Sequence, residues 1–138
     1  MHESSVRSHT WVASPVYRVL TAFPIACFSL TVLTDIAFVQ TSNLLWLHFS
    51  EWLLLAGLVF GIGAALSLAI MWLSGRVTLS WPHELGGLVV LTLAAVNSFI
   101  HTADGWTAVM PYGLLTSVAT LAAMVLTGWF GAWQHHND

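Results

Sequence analysis

The stretch LLWLHFSEWLLLAGLVFGIGAALSLAIMWL, residues 44–73, decides the fold of this chain. It contains only two ionisable side chains, His48 and Glu51, and both lie near its start. A helix of this length would reach ~45 Å at ~1.5 Å per residue, whereas the hydrocarbon core of a bilayer is ~30 Å thick. The stretch therefore predicts a transmembrane helix that tilts or projects beyond the lipid.

Three further apolar stretches have the length of a membrane span, and short polar segments separate them. The linker QTSN, residues 40–43, is so short that the second helix must return antiparallel to the first. Pro82 marks the start of a third helix, and Asp104-Gly105 marks the turn after it. We predict an all-α, up-and-down bundle of four transmembrane helices in residues 15–133, with helices at about 16–39, 44–73, 83–102 and 108–133 and cytoplasmic tails at 1–14 and 134–138.

The composition is that of an integral membrane protein. Hydrophobic residues make up 57% of the chain and charged residues 7%, whereas a soluble domain has about 25% charged residues. Cys27 is the only cysteine, which excludes an intramolecular disulfide, a zinc knuckle and a cysteine-held iron–sulfur cluster. The net charge is -3 with no basic run, so nucleic acid is excluded as a partner. The lipid bilayer is the expected environment.

The three arginines indicate the orientation in the membrane. With an even number of spans, Arg7, Arg18 and Arg76 all fall on one side, and the positive-inside rule makes that side cytoplasmic. We therefore expect a multi-pass protein of the bacterial cytoplasmic (inner) membrane with both termini in the cytoplasm. Tryptophans fall at the predicted interfaces, as in aromatic belts: Trp46 and Trp106 at the outer one, and Trp72, Trp81, Trp129 and Trp133 at the inner one.

Polar side chains on three of the predicted helices lie at one depth near the outer face. Ionisable groups within a span usually face the bundle interior and find partners there. We predict a polar site open toward the periplasm, with Asp104 in the adjoining loop. Its predicted members are Asp35, Glu51, Asn97 and His101, with His48 as a further candidate. In the simplest interpretation they form a hydrogen-bonded network that joins the helices.

A metal or haem site is the alternative interpretation of the same residues. His48 and Glu51 share one helix face at i, i+3, and with His101 they offer the imidazole and carboxylate donors that a divalent metal or haem b could use. Di-iron bundles need two Glu-x-x-His motifs and two further Glu, which this chain lacks. His83 with His135 or His136 could form a second haem level. A proton or small-ion relay is a third interpretation.

The remaining motifs concern nucleophilic catalysis and helix packing. Ser and Thr residues lie near the outer histidines, but no GxSxG elbow or phosphate-binding loop is present, so we expect no catalytic residues. Gly57 and Gly61 form a GxxxG motif, which lets a neighbouring helix approach closely. Packing within the bundle is the favoured role of these glycines, and a dimerisation face is the alternative.

Four segments together resemble the bacterial membrane-protein family known as domain of unknown function 2231. They are AFPIACFSLTVLTDIAF (22–38), WLLLAGLVFGIGAALS (52–67), VNSFIHTADGWTAVMPYGLLTS (96–117) and LTGWFG (126–131). The resemblance implies a four-helix protein of the cytoplasmic membrane without an assigned activity. Some relatives look to be joined to Rieske-type iron–sulfur domains, which implies a respiratory or redox setting. Asp35, His101 and Asp104 keep family positions, whereas His48 is not a family feature.

The chain also departs from the family pattern. Family members often carry a His-Pro pair ahead of the first helix, where this chain has Ser14-Pro15, and an Asp at the end of the second helix, where it has residues 69–72. They also often have an Arg at the position of Ala103 and a basic tail resembling ELVYRHG in place of AWQHHND. We expect a non-catalytic accessory or binding protein. The alternatives are a haem- or metal-bearing electron-transfer subunit with a respiratory partner, and a self-associating scaffold that forms a homo-oligomer through Gly57 and Gly61.

Overall fold

Four long helices account for most of the described chain. The computed structural model describes residues 15–79, 81–103 and 107–137, the last four of these by their backbone only. The helices are α1 (Pro15–Thr41), α2 (Leu44–Leu73), α3 (Trp81–Ala103) and α4 (Leu114–Asn137). Four helical segments are long and apolar enough to cross a membrane, and within the described ranges every regular element is helical. The protein is therefore a multi-pass, all-α membrane protein.

The observed helix ends follow local chemistry. The Asn43 side chain caps α2 by accepting a hydrogen bond from the Leu45 amide at 3.0 Å. Beyond Leu73 the chain reverses at Gly75, whose φ of 67° is the left-handed conformation that glycine tolerates at helix ends. α2 has the predicted bounds, and α1 and α3 each extend one or two residues beyond theirs at both ends.

The fourth apolar span runs over Val109–Trp133, and a wide, π-like turn lies at its start. This turn comprises Val109–Gly113, and the regular helix α4 follows from Leu114. Met110 in this turn is extended, with φ -115° and ψ 128°. The cause is Pro111, because a proline ring disfavours the helical conformation in the residue before it.

The helices form two antiparallel hairpins, α1 with α2 and α3 with α4, which pack side by side. α2 also contacts α3 and α1 contacts α4, so neighbouring helices close a ring around one core. We call the end that carries the turn at residues 42–43 the hairpin end. The opposite end, which carries residues 74–79, is the loop end.

Gly57 and Gly61 are used within this bundle. A Cβ atom at Gly57 would collide with the Phe28 ring of α1, and one at Gly61 would lie 2.6 Å from a Leu91 methyl of α3. In the structure, both glycines therefore face side chains of neighbouring helices in the same chain. Their faces are occupied by the chain's own helices, so they do not supply the self-association face of the scaffold hypothesis.

The core consists of two apolar layers with a polar layer between them. The layer nearer the loop end is built on Phe28, Leu54, Val90 and Ala94. The layer at the hairpin end is built on Phe38, Leu47, Ala108 and Val109. Buried polar side chains lie between the two layers in sequence on every helix: Thr31, Thr34, Asp35, Ser50, Asn97, His101, Ser117 and Thr120.

Candidate functional site

The polar layer contains a network that draws on all four helices. Asp35 comes from α1, Ser50 from α2, Asn97 and His101 from α3, and Ser117 from α4. Each lies on the same helix face as residues of the apolar layers. On α2, for example, Leu47, Ser50 and Leu54 follow the i, i+3, i+7 spacing of one buried stripe. Helical periodicity thus points these polar side chains toward one another.

The Asp35 carboxyl group is the centre of the network. Its Oδ1 accepts a hydrogen bond from Ser50 Oγ at 2.6 Å and lies 2.9 Å from His101 Nε2. Its Oδ2 accepts from Ser117 Oγ at 2.5 Å. Asp35, Ser50 and His101 are 0% exposed and Ser117 is 1% exposed. One carboxyl group therefore joins the other three helices to α1, out of contact with solvent.

A second ring of hydrogen bonds holds these partners in place. Asn97 Nδ2 donates to Ser117 Oγ at 2.7 Å. His101 Nδ1 lies 3.0 Å from the backbone carbonyl oxygen of Asn97. Thr34 Oγ1 lies 2.7 Å from Ser50 Oγ. Gly113 gives His101 its space, because a Cβ atom there would come 3.0 Å from the imidazole Cε1.

The bonding pattern fixes how many protons the Asp35–His101 pair carries. A carbonyl oxygen only accepts, so His101 Nδ1 carries a proton. One further proton then lies between Nε2 and Asp35 Oδ1, held either as an imidazolium–carboxylate pair or as neutral imidazole with a neutral acid. Both forms have zero net charge. That neutrality, together with three hydrogen bonds to the carboxyl group, makes burial in a membrane tolerable.

The network is closed, and the prediction of a site open toward the periplasm is wrong in this respect. Asp35, Asn97 and His101 do come together as predicted, and each is 0% exposed. Phe38, Leu47, Ala108 and Val109 cover them at the hairpin end. The Phe28 layer covers them toward the loop end.

Glu51 and His48 lie apart from this network. His48 Nδ1 lies 3.1 Å from Glu51 Oε2, and the two side chains are 61% and 28% exposed. Their predicted place in the shared polar site is therefore not observed. The reason is helix rotation: successive residues turn by about 100°, so the inward position of Ser50 directs Glu51 away from the centre.

Other predicted histidines and acids contribute nothing to the observed network. Asp104 and the side chains of His135 and His136 lie outside the described residues. The His83 ring lies against α4, where a Cβ atom at Gly131 would come 3.2 Å from its Nδ1. Because the side chains of His135 and His136 lie outside the described residues, a second haem level with His83 stays a prediction.

The arrangement does not fit the proposed haem or metal ligands. Both ring nitrogens of His101 are already hydrogen-bonded, to Asp35 and to the Asn97 carbonyl. His48 is largely exposed on the outer surface of α2, so the two histidines do not face a common cavity. Within the described ranges, three or more potential His, Cys, Asp or Glu ligands are nowhere grouped closely enough to hold a metal ion.

The network contains serine, histidine and aspartate, but its connections differ from those of a hydrolase triad. In a triad the histidine accepts the serine proton and the aspartate holds the other ring nitrogen. Here Ser50 and Ser117 both donate to Asp35, and His101 Nδ1 bonds to a backbone carbonyl. His101 is therefore not positioned to take the proton of either hydroxyl, as the histidine of a triad does.

Sequence reasoning missed Ser50, Ser117 and Thr34. Isolated serines and threonines are common in transmembrane helices, where they often bond to their own helix backbone, as Thr31 and Thr120 do here. The position of these residues along the helices could have identified them. Ser50 falls on the buried stripe of α2, and Asp35 shares its helix face with Thr31, Phe28 and Phe38.

Comparison with known proteins agrees with the fold. Residues 13–137 match the family described as "Predicted membrane protein (DUF2231)". The chain belongs to this family. No curated protein and no solved structure matches the chain. The resemblance found from the sequence is thus confirmed.

Proposed function

We propose that this protein is a non-catalytic accessory protein of the bacterial inner membrane, in which the Asp35–His101 network holds the four helices together. The observation that carries the proposal is the Asp35 carboxyl group, which is fully buried and bonded to Ser50, His101 and Ser117 on three other helices. Such a group links helices at a defined register, because a shift of any one helix would remove a partner.

The closure of the network supports a structural role over a relay or a ligand site. A relay needs a chain of water or polar groups to each face, whereas apolar layers flank this network on both sides. The three side chains that contact Asp35, those of Ser50, His101 and Ser117, are already hydrogen-bonded to it. The accessory role would then be exercised at the outer surface of the bundle, where partner proteins and lipid meet the chain.

We further propose the orientation that the arginines indicate, with both termini in the cytoplasm. Arg18 on α1 and Arg76 after α2 both lie at the loop end of the bundle. The hairpin end, with the α1–α2 turn, would then face the periplasm, and the network would lie in the periplasmic half of the membrane.

One experiment separates the structural role from a redox role. The protein would be purified from membranes in mild detergent, and its absorption spectrum, bound metal and thermal stability would be measured together with those of His101→Ala and His48→Ala. We expect no Soret band and no stoichiometric metal, a marked loss of stability for His101→Ala, and almost none for His48→Ala. A Soret band or bound metal that His101→Ala abolishes would contradict the proposal.

A further inference from the structure

The side-chain oxygen of Asn97 in the polar layer accepts no hydrogen bond from the described residues. Asn97 is 0% exposed, and its Oδ1 has no hydrogen-bond donor among the described residues. A buried acceptor without a donor costs about 1–3 kcal/mol, so nearly all such atoms in proteins are paired with protein or with ordered water. We therefore expect a bound molecule that donates a hydrogen bond to Asn97 Oδ1.

Exchanging Oδ1 and Nδ2 of the Asn97 amide does not give Oδ1 a hydrogen-bond donor. A reversed amide would place Oδ1 against Ser117 Oγ, 2.7 Å away, where Nδ2 now lies. Ser117 has a single hydroxyl hydrogen, which it donates to Asp35 Oδ2. The reversed amide would thus face an oxygen that accepts and does not donate. The network of Asp35 and Ser117 consequently fixes the orientation of Asn97.

Two buried hydroxyl groups lie at the level of Asn97. Thr31 is one turn from Asp35 and Thr120 is one turn from Ser117, both toward the loop end, and each is 1% exposed. Their hydroxyl hydrogens are directed to carbonyls of their own helices, Thr31 to Cys27 O at 2.9 Å and Thr120 to Thr116 O at 2.8 Å. Their oxygen lone pairs are acceptors, so these side chains can receive a hydrogen bond but cannot give one to Asn97.

We propose that Asn97 Oδ1 binds a water molecule inside the bundle, with Thr31 Oγ1 or Thr120 Oγ1 as its second acceptor. A water can donate two hydrogen bonds, whereas both kinds of protein oxygen at this level only accept. Buried waters typically make about three such bonds in polar sites. A cation such as ammonium does not fit, because the Asp35–His101 pair is already neutral as a unit and provides no net negative charge.

Nuclear magnetic resonance can detect this water without a variant that disturbs the fold. The chain has only three asparagines, Asn43, Asn97 and Asn137, so labelling with ¹⁵N-asparagine gives three side-chain amide groups. Asn43→Ser and Asn137→Ser assign the Asn97 signals by elimination, and Asn43→Ser retains a residue suited to cap α2. The protein would be studied in lipid nanodiscs, by the nuclear Overhauser effect between each amide and the water resonance.

We expect the Asn97 side-chain amide to give a dipolar cross peak with water that has the sign of a long-lived complex, while the exposed Asn43 amide gives only chemical exchange. Thr31→Val and Thr120→Val keep the side-chain shape, and at least one of them should weaken the Asn97 peak. Absence of any water cross peak at Asn97, or a cross peak to a threonine hydroxyl proton in its place, would overturn the proposal. The inference does not depend on the proposed function, which the spectrum and metal analysis test separately.

Discussion

Two carboxyl groups on neighbouring helices of this bundle differ completely in environment. Asp35 is 0% exposed and bonded to three other helices, whereas Glu51 is 28% exposed and, among the described residues, is bonded to His48 on its own helix. The free-energy contribution of an ion pair depends on such burial: removal of one member of a buried pair leaves an uncompensated polar group, whereas an exposed pair contributes little.

We therefore predict that Asp35→Ala lowers the free energy of unfolding by roughly 3 kcal/mol or more, because Ser50, Ser117 and His101 lose their common acceptor. Glu51→Ala is the matched control, with an expected change within about 1 kcal/mol. Both values can be measured by denaturant titration of the purified protein in mixed micelles. Equal destabilisation by the two substitutions would contradict the assignment of Asp35 as the centre of the network.

The pair Ser50 and Glu51 shows where prediction from sequence succeeded and failed at this scale. Burial of Asp35, Asn97 and His101 followed from the expense of placing polar groups in a span. The choice between two adjacent polar residues on α2 required the rotation of the helix, which a nearly continuous apolar stretch does not reveal. The sequence analysis predicted the carboxyl group of Glu51 to be buried, but the small hydroxyl group of Ser50 is easier to bury.

At the scale of the helices, Gly57 controls how closely α1 and α2 approach. A Cβ atom at this position would collide with the ring of Phe28. We predict that Gly57→Val destabilises the protein by about 1–3 kcal/mol through overpacking. Phe28→Ala should cost less stability in the Gly57→Val chain than in the wild-type chain, because there it also removes the colliding ring.

The control for this prediction is Gly87→Ala on α3, where a Cβ atom meets nothing within 4 Å. That variant should be neutral or slightly more stable, because alanine favours the helix. Thermal unfolding and light scattering in detergent would be compared for all variants. A change in oligomer size without loss of stability in Gly57→Val would favour an intermolecular role for the glycine and contradict the close helix contact.

The helices could be predicted from sequence, because each apolar stretch has the length and hydropathy of a membrane span. The wide turn at Val109–Gly113 could not be. Pro111 near the start of a helix is tolerated in a first turn, and the apolar residues around it continue the pattern of the span. A proline seen in sequence alone does not tell whether the helix begins before it or after it.

For the molecule as a whole, the proposed orientation in the membrane makes a prediction about the labelling of its two ends. The arginines predict that the hairpin end is outside. Thr41 at the hairpin end and Thr78 at the loop end are both exposed, and the native Cys27 is buried. We expect a membrane-impermeant maleimide to label Thr41→Cys in intact spheroplasts and to label Thr78→Cys only after lysis. The reverse pattern would contradict the proposed orientation, and wild-type protein, labelled through Cys27 alone, gives the background.

The Asp35–His101 bond joins the two hairpins, since Asp35 lies in α1 and His101 in α3. The proposed structural role of the network therefore depends on the strength of this contact. A double-mutant cycle of Asp35→Ala and His101→Ala measures the coupling free energy directly, and the cycle of Glu51→Ala and His48→Ala is its matched control. We predict a coupling of at least about 1.5 kcal/mol for the buried pair and below about 0.5 kcal/mol for the exposed pair. A coupling near zero between Asp35 and His101 would contradict the account.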